Sequence, residues 1–582
     1  MTETFVSKQN RSQTSMPTPC SSRQQEFPAQ TREAVPIVIL VAILLPWLNP
    51  MAPGPSPAVV PWLVSLAATA ALLLLVAFID WFPRFSLAPR PSSPVAPRRF
   101  VQTIATSWLI AGVASSLIGF FQYFGVASYF IPWFSLSPLG EAFANLRQRN
   151  QFASLTNIAL AALIWLAIKS SNVRDLNMQP KWRRQALILL AAGLLTVGNA
   201  ASSSRTGLLQ LVLVVALCGI WGLWRQRLVL RVLVGAVLTY GVAIAALPLL
   251  SGFDLSLHGL GARLVAGDSA CASRTTLWSN VMHLIAQKPW LGWGWGELDF
   301  AHYMTLYNGP RFCDILDNAH NLPLQLAVEL GVPTALLICG GFTWWVLWQK
   351  PWQETDPTRQ LAWSVIAVIL LHSMLEYPLW YGPFQMAFGL CMMMLWRRPM
   401  PSAISSPTFA SVAPAVAINA PIDKPIDVTN SLVAPVIRAF IAIILISISI
   451  YAAWDYRRIS QIYVLTELRD PAYRVDTLGK IKGSWLFSDQ VQFAELLMTP
   501  LTRENAQWTF QRATALLHFS PEPRVIERVI ESATMLGRDD EAAAHLARYR
   551  AAFPLDYAKF KLANASKASA LDGIESPPSE KD

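Results

Sequence analysis

Eleven separate stretches of this chain are apolar for about the thickness of a bilayer, and that feature narrows the possible folds most. A helix needs roughly 20 apolar residues to cross the hydrocarbon core. The stretches fall at approximately 34–49, 58–79, 101–121, 151–169, 185–202, 206–224, 228–250, 322–348, 361–376, 380–396 and 435–454. The ninth and tenth are short and suit a tight hairpin. Of the 582 residues, 53% are hydrophobic and only 14% charged, so a soluble fold would leave apolar surface facing water. The expected fold class is all-α: a polytopic membrane protein of about eleven transmembrane helices. The 23 tryptophans suit the headgroup boundary of such a protein.

The formal charge of +10 does not indicate nucleic-acid binding, because the basic residues sit in short clusters between apolar runs. One set of loops holds Arg84, Arg90, Arg98 and Arg99, then Lys169, Arg174, Lys181, Arg183 and Arg184. The opposite set, 50–57, 122–150, 203–205, 251–321 and 377–379, has few basic residues for its length. By the positive-inside rule the first set is cytoplasmic and the second periplasmic, in a bacterial inner membrane. The expected organisation runs as follows: a cytoplasmic tail (1–33), a membrane core (34–396) with a periplasmic loop (251–321), and a cytoplasmic linker (397–434). A last span (435–454), a periplasmic helical domain (455–565) and a disordered tail (566–582) complete it. The first run lacks a small-residue cleavage site and reads as an anchor. Within the last domain, 521–553 reads as a helix pair with Gly537 at a C′ position and Pro554 stopping the second helix.

No Walker A, HExxH or dinucleotide fingerprint is present, and the six cysteines lack metal-binding spacing, so no cofactor and no metal site is expected. Gly292, Gly294 and Gly296 alternate with Trp293 and Trp295 and read as a tight loop at the membrane surface. Three polar points on the periplasmic side carry candidate chemistry. Ser202-Ser203-Ser204-Arg205-Thr206-Gly207 opens the sixth span, so a positive helix end and a guanidinium meet there, as a phosphate site needs. A snorkelling arginine is the plainer alternative. Ser273-Arg274-Thr275-Thr276 repeats the theme, with Ser273 capping an amphipathic helix marked by Leu277, Val281, Leu284 and Ile285. Asp317-Asn318-Ala319-His320-Asn321 places a histidine, a candidate general base, just before the eighth span. Glu329, His372 and Glu376 are costly in a membrane unless they face a cavity or a partner. Glu376 and Tyr377 sit at a hairpin turn, where a structural hydrogen bond is as good an account as catalysis.

Ser-Arg-Thr-Gly at 204–207, Arg274, Pro289-Trp290-Leu291-Gly292-Trp293-Gly294 and Asn318-Ala319-His320-Asn321, in that order, resemble the O-antigen ligase superfamily. Asn145-Leu146-Arg147-Gln148-Arg149-Asn150-Gln151, the segment from His372 to Tyr381 and the terminal domain are similar to its protein O-oligosaccharyltransferase branch, the pilin glycosylation ligases. Gln151 stands where that branch leads one to expect histidine. The resemblance implies a C-type glycosyltransferase fold and metal-independent, inverting transfer of a glycan from an undecaprenyl-pyrophosphate donor to an acceptor protein. It implies that Arg205 and Arg274 bind the pyrophosphate and that His320 is the base, oriented by Asp314 or Asp317. Arg147, His372, Glu376 and Tyr377 are possible supporting residues. Cys271 and Cys313 bracket most of the periplasmic loop and are expected to form a disulfide in an oxidising compartment. An O-antigen ligase acting on lipid A core and a polymerase share the donor chemistry. A lipid flippase would instead line a path through the bilayer with charges, often within repeated halves, and neither is evident.

Overall fold

The computed structural model describes residues 29–81, 95–171, 181–253, 259–261, 271–396 and 428–574. Most of the N-terminal tail, Arg84, Arg90, Arg174, Cys20, most of the linker and residues 575–582 lie outside the described residues. The described residues are helical, with no strand among them. Six helices are long and apolar enough to cross a bilayer: Val59–Ile79, Arg99–Tyr123, Arg149–Ser170, Lys181–Ala201, Arg227–Leu250 and Val433–Tyr463. Shorter apolar helices are Val35–Leu48, Arg205–Ile220 and Gly382–Trp396, and Pro357–Ser373 packs among them. This is a polytopic membrane protein of all-helical build.

Helix Arg149–Ser171 is its axis. Almost every residue is buried, including Ser154, Thr156 and Asn157. The reason is compositional: the helix is apolar all round, and its few polar groups are satisfied at close range. Ser154 Oγ donates to the Asn150 carbonyl, Thr156 Oγ1 and Asn157 Nδ2 donate to the Ala153 carbonyl, and Gln210 Nε2 donates to Ser154. Helices Val95–Tyr123, Lys181–Ala201, Arg205–Ile220 and Pro357–Ser373 surround it. The last long helix, Val428–Ser460, leans on Val59–Trp81 and otherwise leaves its isoleucines exposed, as lipid contact allows.

The eighth apolar run departs from expectation. Instead of one span over 322–348, it is a short helix Leu322–Leu330, a break at Gly331 (φ 86, ψ 159), and a second helix from Val332 through a π turn to Gln349. The break has a partner. Trp293 N–H donates to the Val328 carbonyl, Gly294 N–H to that of Glu329 and Val332 N–H to that of Pro289, so the tryptophan–glycine loop is laced to the interruption. A Cβ on Gly331 would collide with the Trp290 carbonyl and one on Gly292 with the Glu329 carbonyl, so both positions require glycine. Glu329, costly in lipid, accepts the Gly296 N–H at 2.9 Å and so holds the same loop.

The C-terminal helices pack as an antiparallel stack: Ser488–Met498, Ala506–Leu516, Pro523–Met535, Asp539–Ala552 and Pro554–Ile574. Gly537 (φ 70) turns the chain between the third and fourth. Pro554 opens a further helix as well as stopping its predecessor, and that helix runs to Ile574, past the start of the expected tail at 566. The stretch is rich in Ala, Lys and Leu, strong helix formers. The stack grips the loop: Tyr303, on the short helix Leu298–Met304, belongs to its apolar core. The Tyr303 hydroxyl lies 2.9 Å from His545 Nδ1, Arg548 Nε donates to the Met304 carbonyl, and Phe300 stacks on His518.

Candidate functional site

The two Ser-Arg-Thr segments form alike. Ser204 Oγ accepts the Gly207 N–H and Ser273 Oγ accepts the Thr276 N–H, so each serine is an N-cap. Arg205 and Arg274 are therefore first residues of their helices, Arg205–Ile220 and Arg274–Gln287, beside two positive helix ends. Both side chains line one cavity of about 500 Å³, together with Arg147, Arg149, His320, Glu376 and Tyr377. Four guanidinium groups against the carboxylates of Glu141 and Glu376 leave this cavity net cationic, suited to a multiply charged anion.

Glu376 joins the parts. Its Oε1 accepts from Arg274 Nη2 at 2.6 Å and from Asn150 Nδ2 at 2.9 Å, and its Oε2 lies 2.9 Å from His320 Nδ1. Asn150 Oδ1 in turn accepts the Ser204 hydroxyl at 2.6 Å, so the cap beside Arg205 is tied to the same carboxylate. Only 11% of the Glu376 side chain is exposed. The cost of burying its charge is offset by the His320 and Arg274 partners on its two oxygens.

His320 is held in the left-handed region (φ 50), which costs a non-glycine residue about 1–3 kcal/mol. Its surroundings compensate. Its own N–H donates to Asn318 Oδ1, Ala319 N–H donates to Gln325, the Ala319 carbonyl accepts from Trp278, and Asn321 both caps Leu322–Leu330 and donates to the Met374 carbonyl. The ring meets Tyr377 edge-on at 5.2 Å. The partner on Nδ1 is thus Glu376, not either aspartate considered from sequence. Asp314 is exposed and outside the cavity lining, and Asp317, also exposed, acts on its neighbours through charge. Proximity in sequence suggested the aspartates; the Glu376 contact comes from two segments more than fifty residues apart.

The remaining candidates lie around this centre. Arg147 (φ 58) lines the cavity and donates to the Pro50 carbonyl. Tyr377 hydrogen-bonds Tyr381, which also bonds Gln151. Gln151 thereby fills its position as a buried hydrogen-bonding group one residue from Asn150. His372 is behind the wall, fully buried, with Nδ1 2.9 Å from Ser154 Oγ. Asn150 is the residue that sequence reasoning passed over, although it stands within the Asn145–Gln151 segment. Cys271 and Cys313 are disulfide-bonded, with a Cα–Cα distance of 5.3 Å. Among the described residues no group of three or more His, Cys, Asp or Glu is arranged to hold a metal ion.

Fold and site together define a membrane-embedded protein with a cationic pocket in which a carboxylate positions a histidine. Three family models match consecutive parts of the chain: protein glycosylation ligase over 142–167, O-antigen ligase over 186–339, and the C-terminal part of virulence factor membrane-bound polymerase over 360–567. Part by part the chain is thus similar to O-antigen ligases and to protein glycosylation ligases. Each matched part contributes to the cavity: Arg147 from the first, Arg205, Arg274 and His320 from the second, Glu376 and Tyr377 from the third. Two curated proteins of Acinetobacter baylyi (strain ATCC 33305 / BD413 / ADP1) are similar to it. A general O-oligosaccharyltransferase is 25% identical over 334 residues, 56% of each chain. A ComP-specific O-oligosaccharyltransferase is 26% identical over 295 residues, 50% of each chain. The chain spans about half the length of the curated relatives it matches.

Proposed function

We propose that this chain is an O-linked oligosaccharyltransferase, moving a glycan from undecaprenyl pyrophosphate to a Ser or Thr hydroxyl of a periplasmic protein such as a pilin. The observation that carries the reading is the junction at Glu376, where one carboxylate holds both His320 and Arg274 on the wall of a cationic cavity. With Nδ1–H donated to Glu376, the Nε2 lone pair of His320 is free to take a proton. The acceptor hydroxyl gives that proton to Nε2 as its oxygen bonds to the anomeric carbon. The bond from that carbon to the pyrophosphate oxygen breaks, with inversion, and the electron pair leaves with the lipid pyrophosphate. Arg205 and Arg274 stabilise the departing charge, so the step is written without a metal.

The clustering of basic residues in alternate loops supports an inner-membrane protein of eleven spans, and the resemblance to O-antigen ligases implies a C-type glycosyltransferase fold. Its N-terminus is then cytoplasmic, and its active site and C-terminal domain periplasmic. That the two relatives are a general and a ComP-specific O-oligosaccharyltransferase favours a protein acceptor. The polymerase match over 360–567 favours a second reading, in which the acceptor is another glycan.

The test is glycan transfer to a co-expressed pilin by the parent chain and by His320→Ala at equal membrane levels. Modification by the parent alone supports the activity and the base. Transfer that survives in the variant removes His320 from the mechanism. Where neither modifies pilin, a lipopolysaccharide ladder or a lengthened glycan that requires the parent assigns the ligase or the polymerase reaction instead.

A further inference from the structure

The tryptophan–glycine loop carries two large apolar side chains that the site does not use. Trp290 is 76% exposed and Leu291 86%, at the tip of a turn in an otherwise folded segment. Water is a poor environment for such a tip. Its height relative to the membrane follows from the backbone. Val332 N–H donates to the Pro289 carbonyl at 2.8 Å, and Gly331 abuts Trp290, so the turn lies level with the first residues of the helix that runs on to Gln349. Leu336 and Leu337 on that helix are themselves exposed, as lipid-facing residues of a span are.

Trp344 and Trp348, stacked on each other and exposed, sit toward the far end of the same helix. At about 1.5 Å per residue Trp348 is about 24 Å beyond Val332, close to the roughly 30 Å hydrocarbon thickness. Indole rings collect at both boundaries of that layer. One aromatic belt therefore passes through Trp344 and Trp348, and the opposite one through the turn at Trp290. Tyr129 and Trp133, exposed on the loop between Val95–Tyr123 and Arg149–Ser171, lie on the site's side of the chain and continue that second belt.

We propose that residues 289–292 are a membrane-seated wedge. Trp290 and Leu291 insert into the leaflet on the site's side, and the partner is the bilayer itself. The loop that carries Arg274 and His320 is thereby pinned at the headgroup plane through Gly331, Glu329 and helix Leu322–Leu330, which Asn321 caps next to His320. The consequence for catalysis rests on the transferase reading; the seating of the turn does not.

The experiment uses the full chain in lipid nanodiscs, with Cys20, Cys218, Cys339 and Cys391 replaced and the Cys271–Cys313 disulfide kept. A nitroxide is placed by Leu291→Cys, with Leu337→Cys as the lipid reference and the exposed Asn308→Cys as the aqueous one. The expected result is an oxygen-to-nickel-chelate accessibility ratio at 291 several-fold above that at 308 and close to that at 337. A ratio at 291 equal to that at 308 overturns the proposal. Trp290→Cys reads the same turn and serves if Leu291→Cys is recovered poorly. These readouts need no turnover, so they fail or succeed independently of the proposed activity.

Discussion

Glu376→Gln is the substitution that probes the site most directly. The glutamine is nearly isosteric, but it has one acceptor oxygen where the carboxylate has two, and its amide nitrogen only donates. Arg274 Nη2 at 2.6 Å and His320 Nδ1 at 2.9 Å then compete for a single oxygen, and the loser faces an N–H group. A hydrogen bond to a charged partner is worth about 1.5–3 kcal/mol, and two are weakened, so the loss is about 3–6 kcal/mol. At roughly 1.4 kcal/mol per decade that is a fall of about 10²- to 10⁴-fold in the rate of glycan transfer. The assay is transfer from purified lipid-linked donor to acceptor protein in detergent, with kcat and KM for the donor measured separately across pH. A lowered kcat with an altered pH profile is expected, partly restored by Glu376→Asp. A Glu376→Gln protein that keeps more than about a tenth of parental kcat, with an unchanged pH profile, refutes the assignment of Glu376 as the positioning residue.

Three further outcomes are expected. Arg205→Lys keeps the charge but loses the planar fork, and donor kcat/KM should drop roughly tenfold or more, whereas an unchanged value removes Arg205 from the donor site. Gly331→Ala must adopt a positive φ against the Trp290 carbonyl, which costs about 1–3 kcal/mol from the backbone alone. Thermal denaturation followed by thiol-reactive dye at the buried Cys218 and Cys391 should then shift to lower temperature. Replacing Cys271 and Cys313 together by serine should destabilise the protein by about 2–4 kcal/mol, since the bridge closes a long loop. The parent should resist alkylation at both positions until reductant is added.

Part of the candidate site was legible along the chain because its signals are local. A serine before an arginine at the start of an apolar or amphipathic run is an N-cap signature, and both Ser204 and Ser273 act as caps. His320 stood out for the same reason, as a titratable group at the edge of an apolar run. The contacts of Glu376 were not legible. Its position in a hairpin turn fits a structural hydrogen bond equally well, and its partners Asn150, Arg274 and His320 lie 226, 102 and 56 positions away. Asn150 carried no signal beyond its place in a polar segment. The break at Gly331 was hidden because an apolar run reads as continuous whether or not a distant loop is bonded into it.

Length and hydrophobicity by themselves determined that the chain is a helical membrane protein, because no aqueous fold can cover that much apolar surface. Local caps and charges determined which side chains stand at helix ends. Only the tertiary structure decided which of those ends meet, because a hydrogen bond of 2.6–2.9 Å to one carboxylate depends on how helices cross, and apolar periodicity does not specify that crossing. Packing likewise decided that the C-terminal helices clasp the loop at Tyr303. A tyrosine in a polar segment is ordinary in sequence and becomes a core residue only when another domain closes over it.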